Sequence, residues 1–235
     1  MQRFVIVIPV YNAVEYIRKC LGTVFIQDYK NYEAIVIDDC SDDGTSEIIK
    51  SSPIKSFRNE KRVGSGLANI IKGVELMNPD KEDVIVTLDG DDRFADGTVL
   101  TYLSKIYERY TWMTYGQYLP DSGTYKDFCK PLINYHEYRK SNKWVTSHLR
   151  TFKKWLWDNI KDEDLRDEEG KYFTVAWDRA FMYPLIEMSG RHCRFISKVL
   201  YLYNDKNPSC DWKCLPDKSE EVARYIIKKP EYKEL

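Results

Sequence analysis

The sequence predicts an α/β fold, a mainly parallel sheet flanked by helices, and three observations predict it. Short apolar runs rich in β-branched residues alternate with amphipathic helical stretches over residues 1–119. Such alternation sets parallel strands beside crossover helices with right-handed connections. Two of the runs stop abruptly in clustered acids, Asp38-Asp39-Cys40-Ser41-Asp42-Asp43-Gly44 and Asp89-Gly90-Asp91-Asp92. The carboxyl ends of strands are where open α/β sheets bind ligands. Finally, a hydrophobic content of 43% in 235 residues suffices for one large domain or two small lobes.

In chain order, Phe4 to Ile8 reads as a buried first strand. Pro9 has no amide hydrogen, so the ladder weakens there, and Val10-Tyr11-Asn12 forms a loop. Val14, Ile17, Leu21, Val24 and Phe25 share one face of a helix. Tyr32 to Ile37 is a second strand, Thr45 to Lys50 a short helix, and Ile54 to Arg58 a third strand. Ser65 is placed to cap a helix carrying Leu67, Ile70, Ile71, Val74 and Met77 on one face, which Asn78-Pro79-Asp80 stops. Val84 to Leu88 is a fourth, buried strand. Asp96 is placed to cap a helix turning Val99, Leu100, Leu103, Ile106, Tyr107 and Tyr110 inward, and Trp112 to Leu119 reads as another strand.

The second half is less regular. Pro120-Asp121-Ser122-Gly123 is a turn, and it divides a half at 1–119 from a half at 120–235 of the same domain. Residues 125–145 show no clear period. Ser147 to Lys153 reads as a strand followed by a helix, and Lys161 to Gly170 as a charged surface loop. Thr174 caps a helix reaching Tyr183, and Pro184 opens a second short helical segment closed by Gly190. Phe195 to Tyr203 alternates like a strand, and Ser219 to Lys229 is an exposed terminal helix.

The bulk numbers exclude several classes. A formal net charge of −1 gives no global electrostatic argument for nucleic acid or acidic membranes. The run Phe4 to Val10 is too short for a membrane span and lacks a signal-peptide pattern, so the expectation is a soluble, cytoplasmic protein without a transmembrane segment. The six cysteines are scattered and read as reduced thiols. His192, Cys193, Cys210 and Cys214 match no common zinc spacing. Gly64-Ser65-Gly66 fails as a dinucleotide fingerprint, because Asn69 stands at the third glycine position.

The acids carry the chemistry. Asp89, Asp91 and Asp92 fall within four positions and repel one another. A divalent cation removes that repulsion, and hard oxygen ligands suit Mg²⁺ or Mn²⁺. The plain alternative is a polar turn with Gly90 at its bend.

Pro9-Val10-Tyr11-Asn12, the acidic stretch from Asp38 and the acidic stretch from Asp89, in that order and spacing, resemble the family 2 glycosyltransferases of GT-A fold. The likeness covers residues 3–119 well and the remainder loosely. It implies a metal-dependent, inverting transferase that moves a sugar from a nucleotide diphosphate, a UDP-sugar, to a glycan, glycolipid or glycoprotein. It implies further that Pro9, Tyr11 and Asn12 line the nucleotide pocket and that Asp39 faces the base, accepting an imide or amide N–H. Asp89 would approach the ribose and a metal-bound water, Asp91 would be the main metal ligand, and Asp92 would be a ligand or orient the loop. Asp42 and Asp43 read better as helix caps ahead of Thr45.

Such a transfer breaks the bond between the anomeric carbon and a diphosphate oxygen, which calls for a Lewis acid at the leaving group and a base for the acceptor hydroxyl. Its transition state is oxocarbenium-like. The resemblance puts the base at the start of a helix, and Asp178 in Thr174-Val175-Ala176-Trp177-Asp178-Arg179-Ala180 is the candidate. Trp177 stands where the family has an acid, so Asp178 has the alternative role of stabilising the helix N-terminus or pairing with Arg179 or a nearby lysine. His148 and His192 are candidates for a late metal ligand, His192 entering the expected metal set with Asp89, Asp91 and Asp92; a structural role is the alternative for each. Arg62, Arg150 and Lys153 are candidate diphosphate or acceptor contacts. Trp144, Trp155, Trp157 and Trp177 include either an acceptor platform or core residues. The rival readings are a sugar nucleotidyltransferase, which would need a glycine- and arginine-rich loop after the first strand, and an inactive binding module of the same fold.

Overall fold

The structure is a computed structural model and describes residues 1–123, 128–208 and 211–235. Eight strands form one sheet: β1 (Phe4–Val10), β2 (Tyr32–Asp38), β3 (Lys55–Arg58), β4 (Val84–Thr87), β5 (Arg93–Phe94), β6 (Met113–Pro120), β7 (Arg150–Lys153) and β8 (Cys193–Tyr203). Their spatial order is β3-β2-β1-β4-β7-β6-β8-β5. The pairs β3–β2, β2–β1, β1–β4 and β6–β8 are parallel, whereas β7 runs antiparallel to both β4 and β6, and β5 antiparallel to β8. The sheet is therefore mixed and mostly parallel.

Period-two alternation along β1 divides the core into two layers. Val5 and Val7 join Ile35, Ile37 and Ile85 on one face, under helix α3 (Gly66–Met77) with Leu67, Ile70 and Val74. Phe4, Ile6 and Ile8 join Val36, Val84 and Val86 on the other. That face is covered by α1 (Ile17–Phe25) with Ile17, Leu21 and Val24, and by α4 (Val99–Tyr107) with Val99, Leu100 and Leu103. All seven positions of β1 are buried, as a doubly covered parallel strand requires. The remaining helices are α2 (Thr45–Lys50), α5 (Lys154–Trp157), α6 (Trp177–Ser189), α7 (Asp211–Cys214) and α8 (Pro216–Ile227). Among the described residues no helix is long and apolar enough to cross a membrane.

Several sequence expectations change in detail. Helix α1 begins only at Ile17, and Val14 and Phe25 are exposed, with Cys20 taking the inward position. Val14 stays outside the helix because its amide donates to Asp43 Oδ2 (3.0 Å). Pro184 does not start a new segment; α6 runs through it to Ser189, and its buried packing outweighs the lost backbone bond. Thr174 does not cap α6; Ala176, at φ 47°, precedes its first residue. Ser65 does cap α3, its hydroxyl accepting from Ala68 N (3.2 Å). The 161–170 loop is only partly on the surface, since Asp164 and Leu165 are buried in a 3₁₀ turn, Asp162–Leu165. The turn after β6 is present, with Gly123 N donating to Pro120 O (2.9 Å), but the sheet continues across it. Strands β7 and β8 from the second half pair directly with β4 and β6 from the first. The two-residue β5 was not foreseen, being too short for any periodic signal.

Glycine at 73 lets α3 lie on β1, because a Cβ there would run into the Val7 side chain and crowd Ile37. In an open helix Gly→Ala gains about 1 kcal/mol. Gly73→Ala should instead destabilise the protein by about 1–3 kcal/mol through overpacking. Urea unfolding reads the difference, and a variant more stable than the parent would refute the close approach.

Candidate active site

Strand β4 delivers the acidic loop. Past its end, Leu88 N donates to Val7 O (3.1 Å) and Gly90 N to Pro9 O (3.0 Å), so the loop is tied to the end of β1. A Cβ on Gly90 would lie 2.6 Å from Val10 Cβ, and only glycine fits between the two loops. Asp89, Asp91 and Asp92 all face one cleft of about 1220 Å³. Asp92 is 2% exposed and held from two sides: Tyr201 OH donates to Oδ2 (2.6 Å) and Asn204 N to Oδ1 (2.6 Å). Asn207 Nδ2 donates to Asp91 Oδ2 (2.7 Å). Tyr201 OH also accepts from Asp89 N (3.3 Å).

Burial pushes the Asp92 carboxyl well above the ordinary range, and Asp91 and Asp89 add to the shift by repulsion. Burial likewise raises Asp91, with the Asn207 hydrogen bond opposing it. The repulsion expected from the sequence is recorded at Asp92, second to burial, whereas the shift at Asp91 comes from burial alone.

The first two loops form the neighbouring wall. Pro9, Tyr11, Asn12 and Asp39 line the same cleft. Asn12, at φ 46°, is fixed to the second loop: its amide donates to Ser41 Oγ (3.0 Å), its Nδ2 to Asp42 Oδ1 (2.8 Å), and its Oδ1 accepts from Asp42 N (3.0 Å). Asp43 accepts from Thr45 N (2.9 Å) at the start of α2, as the capping reading expects, whereas Asp42 is engaged by Asn12. Asp39 is buried and accepts from Asn59 Nδ2 (2.7 Å), Val63 N (2.8 Å) and Gly64 N (2.8 Å). Three of about four lone-pair directions of that carboxylate are thus used by its own chain, which leaves one for a ligand. Arg62 lies 3.8 Å over the Tyr11 ring at the cleft wall and is more than a solvated charge.

The second half supplies the opposite wall. Asp178, in the first turn of α6, pairs with Arg150 on β7, Nη2 to Oδ2 2.6 Å. Both line the cleft. The partner is neither Arg179 nor a lysine but Arg150 from strand β7; Arg179 meets Asp178 only through its backbone N, which donates to Oδ1 (3.0 Å). Trp144 and Trp177 also line the cleft, while Trp155 packs on Trp112 (4.9 Å) and Trp157 on Phe152 (5.2 Å), so those two are core residues.

Two expected site residues lie elsewhere. His192 is stacked on Trp112 (4.1 Å), its Nδ1 2.7 Å from Tyr110 O. It precedes β8, whose far end at Tyr203 reaches the cleft eleven residues later, roughly 35 Å away at the rise of a strand. The metal role assigned to His192 is therefore corrected. Lys153 reaches Gln2 Oε1 (2.7 Å) and Glu82 O (2.8 Å) at the other end of β4, away from any diphosphate site. Of the four residues weighed as a zinc set, Cys210 lies outside the described residues, and Cys193 is buried at the end of β8 distant from the cleft.

His148 occupies the place expected of His192. Its ring stacks on Tyr201 (4.4 Å, 13° between planes). One ring nitrogen and one carboxylate oxygen each from Asp89 and Asp92 lie within 4.8 Å of one another. Burial, reinforced by the Arg150 charge, holds the imidazole pKa well below its ordinary value, so it is neutral with a lone pair to offer. Two carboxylates and one neutral imidazole suit Mn²⁺ and, being less purely hard, suit Mg²⁺ less well. The sequence offers His148 as a metal-ligand candidate with a structural role as the alternative, but gives no sign of Tyr201 or Asn207 beyond the paired aromatics Tyr201 and Tyr203 closing a strand, opposite the alternating His148 and Arg150.

Tyr201→Phe removes a donor to buried Asp92 and should cost about 1.5–3 kcal/mol, as for a hydrogen bond to a charged group. Asp92 has a raised folded pKa, so its ionisation lowers stability as pH rises through that value. The tyrosine matters most to the ionised form, so the cost should shrink as pH falls below the raised pKa. Denaturant unfolding of both proteins across pH reads this; a cost independent of pH would contradict the assignment.

A family model described as Glycosyl transferase family 2 matches residues 5–162. The chain is 25% identical over 224 residues to the glycosyltransferase GlyA of Streptococcus pneumoniae, a match covering 88% of this chain and 31% of that protein. The chain thus spans about a third of this relative's length. S. aureus TarS 1-349 in complex with UDP-GlcNAc superposes with a TM-score of 0.73 at 18% identity, over 96% of this chain and 65% of the other. The mannosyltransferase PcManGT from Pyrobaculum calidifontis, in complex with GDP-Man and Mn²⁺, superposes with a TM-score of 0.62 at 16% identity, over 98% of this chain and 66% of the other. With the family model matched over more than half its length and a GT-A architecture throughout, the chain belongs to the family 2 glycosyltransferases.

Proposed function

We propose that this chain moves a sugar from a nucleotide diphosphate, a UDP-sugar, to a hydroxyl of a glycan, glycolipid or glycoprotein, with inversion at the anomeric carbon. One observation carries the reading: Asp39, Asp89, Asp91, Asp92, Arg150 and Asp178 all open onto the same cleft. A nucleotide-binding half at 1–119 and an acceptor-binding half at 120–235 would each contribute one wall. The UDP-GlcNAc complex of TarS supports a UDP-sugar, and the Mn²⁺ complex of the mannosyltransferase supports a divalent cation.

Pro9, Tyr11 and Asn12 would shape the base pocket, with Arg62 stacked across Tyr11 at its rim. Asp39 keeps one acceptor direction for a base N–H such as the imide of uracil. Asp89, Asp92 and His148 would hold Mn²⁺, or Mg²⁺ less well, and Asp91 would join them as it exchanges Asn207 for the ion. Such a cation acts as a Lewis acid on the departing diphosphate. Arg150 offers a guanidinium fork to the same oxygens. Asp178 accepts the proton of the acceptor hydroxyl as its oxygen bonds to the anomeric carbon and the bond to the diphosphate oxygen breaks.

In a thermal-shift series, Mn²⁺ together with a UDP-sugar should raise Tm well above either alone, since ligands that bind the native state stabilise it by mass action. Asp91→Ala should lose the metal-dependent part. Unchanged UDP-sugar affinity in Mn²⁺ would remove Asp91 from the metal set. Asp178→Asn should bind donor at least as tightly as the parent and lower kcat by about 10²–10⁴-fold; near-normal turnover would transfer the role of base to another residue.

A further inference from the structure

Arg150 stands between the two chemical centres of the cleft. Its side chain is 4% exposed, and its strand holds it opposite Thr87, two residues before Asp89. Nη2 donates to Asp178 Oδ2 at 2.6 Å. Nη1 and Nη2 lie 3.2 and 3.4 Å from the two ring nitrogens of His148. His148 in turn presents a ring nitrogen within 4.8 Å of the Asp89 and Asp92 carboxylates. One guanidinium therefore joins the candidate base to His148, the neighbour of the acidic loop. Among the described residues its buried Nε has no hydrogen-bond partner.

The pairing with Asp178 is also incomplete. It uses one carboxylate oxygen, while Oδ1 accepts from Arg179 N at 3.0 Å. A guanidinium with a spare buried donor and a one-point partner would bind a diphosphate better, because phosphate oxygens take the fork through two parallel bonds. The backbone of β7 is fixed by its neighbours on both sides, so the exchange needs only the terminal torsions of the side chain to turn.

We infer that Arg150 is a positioning residue that couples donor occupancy to Asp178. In the donor-free protein the guanidinium holds the Asp178 carboxylate. An arriving diphosphate draws the guanidinium onto its own oxygens, and Asp178 is released to receive the acceptor's proton. The base thus stays engaged until there is a leaving group to displace. This rests on the proposed donor and base, and adds the competition between them for one cation.

Competition makes a thermodynamic claim that a static salt bridge does not. If Asp178 and the diphosphate contend for Arg150, removing the Asp178 charge must tighten diphosphate binding. Loss of a nearby negative charge would do so in any case, so the effect must be shown to pass through Arg150. UDP is titrated calorimetrically, at saturating Mn²⁺, into the parent chain, Asp178→Asn, Arg150→Gln and the double variant. We expect Asp178→Asn to bind UDP about fivefold more tightly or better than the parent, the lower range of coupling between sites. Arg150→Gln should bind more weakly, and in that background Asp178→Asn should tighten UDP binding by less than about twofold, the part owed to lost repulsion alone. Arg150→Met is a second neutral background if the glutamine variant melts early. Equal tightening with and without Arg150, or none in the parent background, overturns the inference while leaving the donor reading intact. Failure of the parent chain to bind UDP in Mn²⁺ removes the donor reading and the inference with it.

Discussion

Three carboxylates at the end of one buried strand are the constraint on which the rest of this structure depends. Charges that close repel, and burial makes each more costly. The chain meets the cost with fixed donors drawn from a distant stretch. Tyr201 and Asn204 hold Asp92, and Asn207 holds Asp91. These donors sit on β8 and the segment after it, more than a hundred residues along the chain. What remains is a preorganised negative site, with the neutral His148 stacked against the same tyrosine.

The topology follows from that requirement. A purely parallel sheet could bring the acidic loop beside the first two loops, as β1, β2 and β4 do. It could not bring Arg150 or His148 there. The antiparallel β7 does so by entering the sheet directly beside β4, with Arg150 opposite Thr87. The short β5 completes the arrangement by pairing Phe94 with Tyr201, which seats the tyrosine beneath the acidic loop. Glycine at 90 then allows the loops after β1 and β4 to touch. The residues proposed for the donor, the cation and the base are thus positioned by strand ends and one helix start.

How far the sequence could be read depends on the range of the signal. The strands and helices of residues 1–119 carry strong local periodicity, and their order, the Ser65 cap and the acid clusters at strand ends were all legible. The same holds for the convergence of Pro9, Tyr11, Asn12, Asp39 and the Asp89 loop, because each loop follows a strand whose direction is set by parallel pairing. What was not legible is contact between distant segments. His148 and His192 look alike in the sequence, and only the register of β7 against β4, and of β8 against β6, decides which one meets the acids. Trp177 precedes Asp178 where an acid was expected, and the structure supplies a packing reason: its ring lies against Gly66, where a Cβ would come within 2.9 Å. Pro184 was read as a helix start because proline is a local signal, and burial overrode it.

The central proposal is that the acidic loop and His148 would hold a divalent cation that serves a nucleotide diphosphate. Anomalous diffraction at the manganese edge, from crystals soaked in UDP and Mn²⁺, tests it most directly. The account predicts one strong peak within about 2.0–2.3 Å of oxygens from the Asp89–Asp92 loop and of a His148 nitrogen, with UDP phosphate oxygens completing the shell. A peak elsewhere, or UDP bound in the cleft with no metal at these residues, would contradict it.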